Sequence, residues 1–419
     1  MGGLDCVDRT SIAIGRNPSS PAFFLMKLTQ CLFYTRQMFA LERTRRIVVK
    51  IGTNVLTEDG EGFSLARLSA IVSQLTWLWE SGCEVFLVTS GAVGLGREAL
   101  QLCDKTLDLV DKQACAAVGQ SKLMEAYQHA FQTTKIPVAQ VLVTADDLAN
   151  RKRYLNIKET FERLISYKAI PIINENDCVS VAELLEVGQG KSFGDNDMLS
   201  ALVASKLEAD LLILLTNVDG IYTKNPSQHA DAQRFDVIEG FESLKDIDVS
   251  GGSTQGRGGM TTKIKAAQLA SLSGVNTVIC NGLKENCIRQ IFDNDAIDGT
   301  VIKCGTKLSG KKRWVGFASG YEGVIIINPC AVEALVQRNT SLLPVGILDV
   351  IGDFAPQAVV SIQTENQEEI GRGMSNFSAE DIRRIQGCHS SEIPEKLGKT
   401  NAPDVVIQRD YLVIFETIM

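Results

Sequence analysis

Two lysines stand where an ammonium group is expensive. Lys50 closes the apolar run Ile47-Val48-Val49, and Lys263 falls in the first turn of a helix that follows the glycine loop Gly256-Arg257-Gly258-Gly259. A cation buried at a strand end needs an anion beside it, and one at a helix start opposes the dipole. Backbone N–H groups of a glycine loop next to a lysine make a phosphate cradle. The plainer alternatives are a lysine that snorkels out of its strand and a loop without a ligand. A second pattern combines carboxylates with amides, in Asn174-Glu175-Asn176-Asp177 and in Gly194-Asp195-Asn196-Asp197. Together they offer acceptors for an ammonium and donors for a carboxylate, which is what an amino-acid substrate requires. Helix capping by Asp195 or Asn196 accounts for one cluster and not for both. A third loop, Thr89-Ser90-Gly91-Ala92-Val93-Gly94-Leu95-Gly96, either receives an anion on its N–H groups or is a tight turn. Its glycines miss the dinucleotide spacing, and the chain has no G-x-x-x-x-G-K-[ST] loop.

These loops follow elements that alternate. Strands are expected at 47–51, 85–89, 138–143, 170–174, 211–216 and 277–280, and helices at 65–80, 121–133, 156–167, 197–207 and 261–273. Such alternation builds a parallel sheet covered on both faces, and ligands then gather outside the carboxyl ends of its strands. Beyond Gly299 the rhythm changes to short Val/Ile stretches at 324–327, 347–351 and 358–362, interrupted by a helix at 378–386. A small β-rich domain is expected there, with a boundary near 300–310.

Composition narrows the function classes. The 419 residues carry 42 Lys+Arg against 50 Asp+Glu, a net charge of -8, which disfavours nucleic acid or an anionic membrane as the main partner. No apolar run approaches the roughly 20 residues of a spanning helix. Eleven cysteines without a Cys-x-x-Cys pair suggest neither disulfides nor zinc, and reduced thiols in a cytoplasmic setting are the expectation. Three distant histidines make a histidine metal site unexpected. Residues 1–46 carry seven Lys/Arg against three acids. Residues 1–45 are read as an extension outside the fold, as the product of an upstream start with Met26 or Met38 as alternatives, or as a targeting peptide. Asp5, Asp8, Glu42 and the missing small-residue cleavage site count against the last.

The ordered set 48–53, 89–93, 174–177, 194–197, Leu-Leu-Thr-Asn-Val-Asp-Gly-Ile-Tyr (214–222) and 258–263 resembles the amino-acid kinase family, in its branch that phosphorylates glutamate. The tail resembles the PUA domain through Lys-Arg-Trp (312–314), Ser-Leu-Leu-Pro (341–344), Arg-Arg-Ile (383–385) and His-Ser-Ser-Glu-Ile (389–393). The resemblance implies a three-layer αβα sandwich over 46–300 with a mostly parallel sheet, and a PUA-like domain over 306–412. It implies transfer of phosphate from ATP, with Mg²⁺, to the γ-carboxylate of L-glutamate, the entry to proline synthesis. By the same resemblance Lys50 and Lys263 flank the transferring group and Asp197 orients them. Ser90, Asp177 and Asn196 hold glutamate, with Asn174 and Asp195 close by. Lys50, Thr216, Asn217, Arg257, Gly258, Gly259, Met260, Thr261, Thr262 and Lys263 hold the nucleotide. Feedback inhibition by proline, a homo-oligomer (tetramer or dimer) and coupling to glutamate-5-semialdehyde dehydrogenase are implied partners.

Four departures stand out. Asn217 replaces the family's usual Asp, Arg257 a small residue, and Val345 a common Lys, while the stretch 184–193 is about six residues longer than the family suggests. Acetylglutamate kinase, aspartokinase and uridylate kinase are the alternatives within the fold. An RNA-binding module with a vestigial kinase domain is the alternative from another class. Against it, residues 306–419 hold 11 Lys/Arg and 14 Asp/Glu, which is not the footprint of an RNA binder.

Overall fold

The computed structural model describes residues 43–415 apart from 59–61, 104, 145–146, 149, 180–195, 227, 230, 240–258, 294–296, 305–311, 313–314, 317–320 and 400–401. Its larger sheet is built from β1 (Arg46–Ile51), β2 (Glu84–Val88), β3 (Val138–Val143), β4 (Ile170–Glu175), β5 (Leu211–Thr216), β6 (Val237–Ile238), β7 (Asn276–Asn281) and β8 (Gly299–Ile302). Their order is β3-β4-β2-β1-β5-β7-β8-β6, parallel except where β8 runs antiparallel to β7. The chain leaves β1 toward β2 on one side and returns to β5 on the other. The strand order therefore reverses at β1, and the crevice at its carboxyl end is where an α/β sheet accepts ligands.

Alternation along β1 decides what its lysine meets. Ile47, Val49 and Ile51 face one layer, made by α1 (Leu65–Glu80), α2 (Ala92–Ala99) and α3 (Leu109–Phe131). Val48 faces the other layer, made by α4 (Arg151–Ser166), α5 (Asn196–Lys206) and α6 (Met260–Leu272). Side chains two apart share a face, so Lys50 lies on the side of Val48, toward the starts of α5 and α6. Each layer buries its own apolar cluster, and all six residues of β5 are buried.

Two helices start earlier than the spacing predicts. α3 begins at Leu109 rather than Ser121, behind a capping box in which Asp108 and Asp111 each accept from the other's backbone N–H. Its first half packs through small residues: a Cβ added at Gly119 would lie 1.7 Å from Ala92 O, and one at Gly96 1.7 Å from Cys115 O. Backbones this close leave no apolar stripe to read in sequence. α4 begins at Arg151 rather than Asn156, where Asn150 accepts from the N–H groups of Lys152 and Arg153. Its first turn is cationic, so periodicity alone misses it.

A second, five-stranded sheet follows, β10-β9-β11-β12-β13, from β9 (Gly323–Ile327), β10 (Ile347–Ile351), β11 (Val359–Gln363), β12 (Glu369–Ser375) and β13 (Ile407–Ile414). It packs with α7 (Pro329–Arg338), α8 (Ala379–Ile385) and α9 (Ile393–Leu397) around a separate core. α7 was not expected; it is short, and of its ten residues only Leu335 is fully buried, with Ala331 and Val332 half-buried beside it against the same core. No helix among the described residues is long and apolar enough to cross a membrane. The nine described cysteines are all free thiols.

Candidate active site

The neighbouring strands β4, β2, β1 and β5 end side by side, and each contributes a residue within two positions of its carboxyl end: Asn174, Ser90, Lys50 and Thr216. The first residues of α5 and α6 close the row from one layer. The resulting cleft of ≈ 770 Å³ is lined by Lys50, Ser90, Asn174, Asp177, Asn196, Thr216, Asn217 and Lys263, among others. Gly91, the N-cap of α2, has φ +108°, a left-handed conformation that glycine adopts without strain.

A charged triad forms the floor. Lys50 Nζ lies 2.7 Å from Asp197 Oδ1, and Lys263 Nζ 3.1 Å from Asp197 Oδ2. Thr262 Oγ1 lies 3.2 Å from the same Oδ2 and 2.9 Å from Gly259 O, its single proton shared between the two acceptors. Asp197 is fully buried, and the two lysines are nearly so. One carboxylate thus fixes two ammonium groups, and the triad keeps one net positive charge facing the cleft. That surplus suits an anion in transfer. The sequence placed Lys263 against the dipole of its helix; the structure supplies Asp197 from the neighbouring helix as its resident anion.

An amide array forms the adjoining wall. Asn196 Nδ2 sits 2.8 Å from Thr89 O, 2.9 Å from Ser90 Oγ and 3.0 Å from Asn174 Oδ1. Asn174 Nδ2 donates to Gln120 Oε1 at 2.8 Å. Thr89 Oγ1 shares a 2.7 Å hydrogen bond with Tyr127 OH, whose phenol burial pushes far above its ordinary range. Sequence reading missed Gln120 and Tyr127. Both lie on α3, more than 35 residues from the groups they hold, and no local motif marks them.

Beyond the cleft, Lys284 Nζ bridges Asp219 (2.9 Å) and Asp298 (2.6 Å), and Asn281 Nδ2 donates to Asp219 Oδ1 at 2.9 Å. Lys284 and Arg234 hold the Asp298 carboxyl below the usual carboxylate range. This network fastens the turn that follows Thr216 and Asn217. Met260 and Thr261 open α6 with Gly259 as its N-cap. Asp195, Arg257, Gly258 and the long stretch 184–193 lie outside the described residues.

Residues 45–281 match the amino acid kinase family and residues 323–397 the PUA domain. The chain belongs to the amino acid kinase family. Over 383 residues it is 42% identical to a glutamate 5-kinase of Nostoc sp., covering 90% of this chain and 99% of that protein. A glutamate 5-kinase of Trichlorobacter lovleyi is 40% identical over 89% of this chain and 98% of its own. Among solved structures, the UMP kinase of Ureaplasma parvum aligns at a TM-score of 0.43 with 17% identity, over 62% of this chain and 99% of that one.

Proposed function

We infer that this chain is a glutamate 5-kinase, transferring the γ-phosphoryl group of ATP to the γ-carboxylate of L-glutamate in the first step of proline synthesis. The observation that carries the reading is the Lys50–Asp197–Lys263 triad beside an amide wall, within a chain alignable to glutamate 5-kinases over about nine-tenths of its length. A γ-carboxylate, with a pKa of about 4.3, is ionised at neutral pH, so the attacking oxygen needs no general base. Its lone pair forms the new P–O bond while the bond from the γ-phosphorus to the bridging oxygen breaks and ADP departs. The obstacle is charge, since two anions approach and the transferring group spreads negative charge over its equatorial oxygens. Lys50 reaches that group from the strand and Lys263 from the helix, held apart by Asp197. Ser90, Asn174, Asp177 and Asn196 hold glutamate, with Asp195 next in chain. Thr216, Asn217 and residues 257–263 hold the nucleotide.

Mg²⁺ supplies further neutralisation when it arrives on the ATP phosphates. The donor set fits a cation carried in this way: the nucleotide side offers ammonium and hydroxyl groups for phosphate oxygens. We further propose that the enzyme acts in the cytoplasm as a homo-oligomer, a tetramer or dimer. Proline inhibits it, and its labile product passes to glutamate-5-semialdehyde dehydrogenase. The second domain serves regulation or assembly rather than RNA, consistent with a half-exposed Val345 in place of a lysine.

The test is hydroxylamine trapping of acyl phosphate from Mg-ATP with L-glutamate, N-acetylglutamate and aspartate as acceptors, ADP formation with UMP, and proline added last. Glutamate-selective hydroxamate is expected. Preference for another acceptor, or no product from a folded sample that binds ATP, would refute the reading.

A further inference from the structure

L-Glutamate brings three charges to the cleft, and the amide wall answers one of them. Main-chain groups set the polarity of the wall: Thr89 O accepts from Asn196 Nδ2 at 2.8 Å, and the Glu175 N–H donates to Asn174 Oδ1 at 3.0 Å. Asn196 Nδ2 also meets Ser90 Oγ and Asn174 Oδ1, and Asn174 Nδ2 meets Gln120 Oε1. Both amide donors are therefore spent inside the wall. Asn196 keeps its Oδ1, and Asp177 lines the same cleft; these are acceptors, which suit an ammonium and repel a carboxylate. The γ-carboxylate goes to the triad, where Ser90 keeps a hydroxyl proton to donate, since β1 and β2 pair with Lys50 opposite Val88, two residues before Ser90. The α-carboxylate needs a donor of its own.

Among the described residues, the cleft is lined by three cations besides Lys50 and Lys263, all on the side of α2 and α3: Arg97, Lys105 and Lys112. Arg97 is turned onto main-chain carbonyls, 3.0 Å from Leu102 O and 2.9 Å from Lys105 O, and so folds the loop between the two helices. Lys105 pairs with Asp111 at 2.9 Å, on a side chain that is 54% exposed. Lys112 is placed differently. It is half-buried and stands four and eight residues before Ala116 and Gln120, on the row of α3 that brings Gln120 to Asn174. The loop that carries Asp177 packs against the same turn, with Cys178 Sγ 4.0 Å from Gln113 O. Lys112 is also the fourth residue of its helix, as Lys263 is of α6, so both ammonium groups oppose a helix dipole at the edge of one cleft. We propose that Lys112 is a specificity-determining residue that binds the α-carboxylate of the substrate. This rests on the reading of the chain as a glutamate kinase. It goes further by naming the group that reads the second carboxylate, so that a cation on α3 and the acceptors of Asp177 and Asn196 together match the charges at the substrate's α-carbon.

The test compares Lys112→Met, which keeps the stem and removes the charge, with Lys112→Arg, which keeps the charge, and with Lys105→Met. ADP formation is measured with L-glutamate and with L-isoglutamine, the same molecule with its α-carboxylate converted to an uncharged amide, together with the KM for ATP. Where isoglutamine turns over too slowly, its inhibition constant against glutamate takes the place of its KM. For Lys112→Met the glutamate KM rises about tenfold or more, while the values for isoglutamine and ATP stay within about twofold, so the preference for glutamate over isoglutamine collapses. Lys112→Arg restores much of that preference, and Lys105→Met leaves it unchanged. A merely structural lysine would weaken both acceptors alike. Equal losses for glutamate and isoglutamine in Lys112→Met, an unchanged preference there, or a preference lost in Lys105→Met instead, overturns the proposal. Failure of the underlying reading is separate: the unsubstituted enzyme would then form no acyl phosphate from L-glutamate at all.

Discussion

Replacing Asp197 by Asn removes the one negative charge between two buried ammonium groups. At 2.7 and 3.1 Å each attraction is about 5–6 kcal/mol before desolvation, taking an effective dielectric near 20. Most of that is offset by the cost of burying the ions, and breaking a buried pair by deleting one partner leaves a net loss of about 3–5 kcal/mol. The amide makes matters worse, because its Nδ2 points a donor at one ammonium. For a domain of this size the loss corresponds to a fall in Tm of about 6–20 °C. Turnover should fall at least about a hundredfold, since two unrestrained lysines no longer meet the transferring group together. Differential scanning fluorimetry with and without ATP, run beside the hydroxamate assay, reads both effects. ATP should stabilise Asp197→Asn by more degrees than the unsubstituted enzyme, because its phosphates bring the missing anion. If the variant melts within about 2 °C of the parent without ATP, the lysines are not held by that charge, and the argument fails.

Lys263→Ala should keep the fold and lower kcat by about 10²–10³ with little change in the KM for glutamate, since its interaction strengthens in the transition state; a raised KM at unchanged kcat would remove Lys263 from that role. Gly119→Ala places a methyl against Ala92 O and should cost about 3 kcal/mol or more, read as lost soluble yield or a lowered Tm. Burial pushes the Cys83 and Cys287 thiols up to about 11 and Cys280 well above its ordinary value. At pH 8 iodoacetamide should therefore label the exposed Cys103, Cys178 and Cys330 and spare those three, as peptide mass mapping would show. Because their folded values are raised, these thiols stabilise fully below the ordinary thiol value of 9.0 and lose that contribution as pH climbs toward about 11, so Tm should decline across that window.

Sequence alone determined what depends on periodicity and on residue type. The strands Val138–Val143 and Leu211–Thr216 and the helix Leu65–Glu80 appear with the bounds that their apolar spacing predicts, because burial on one or both faces writes itself into nearby residues. The cost of a lysine at the end of β1 and the paired carboxylate–amide loops likewise pointed to an anion and an amino acid before any contact was known. Tertiary structure decided which groups meet. Lys50, Asp197 and Lys263 are joined only because Lys50 shares a face of β1 with Val48 and because α5 and α6 start against that face. The early start of α3, hidden by its small residues, brings Gln120 beneath Asn174 from 54 positions away in the chain. A hydrogen bond across such a distance leaves no local trace in sequence, since its partners are set by strand order and helix packing rather than by their neighbours.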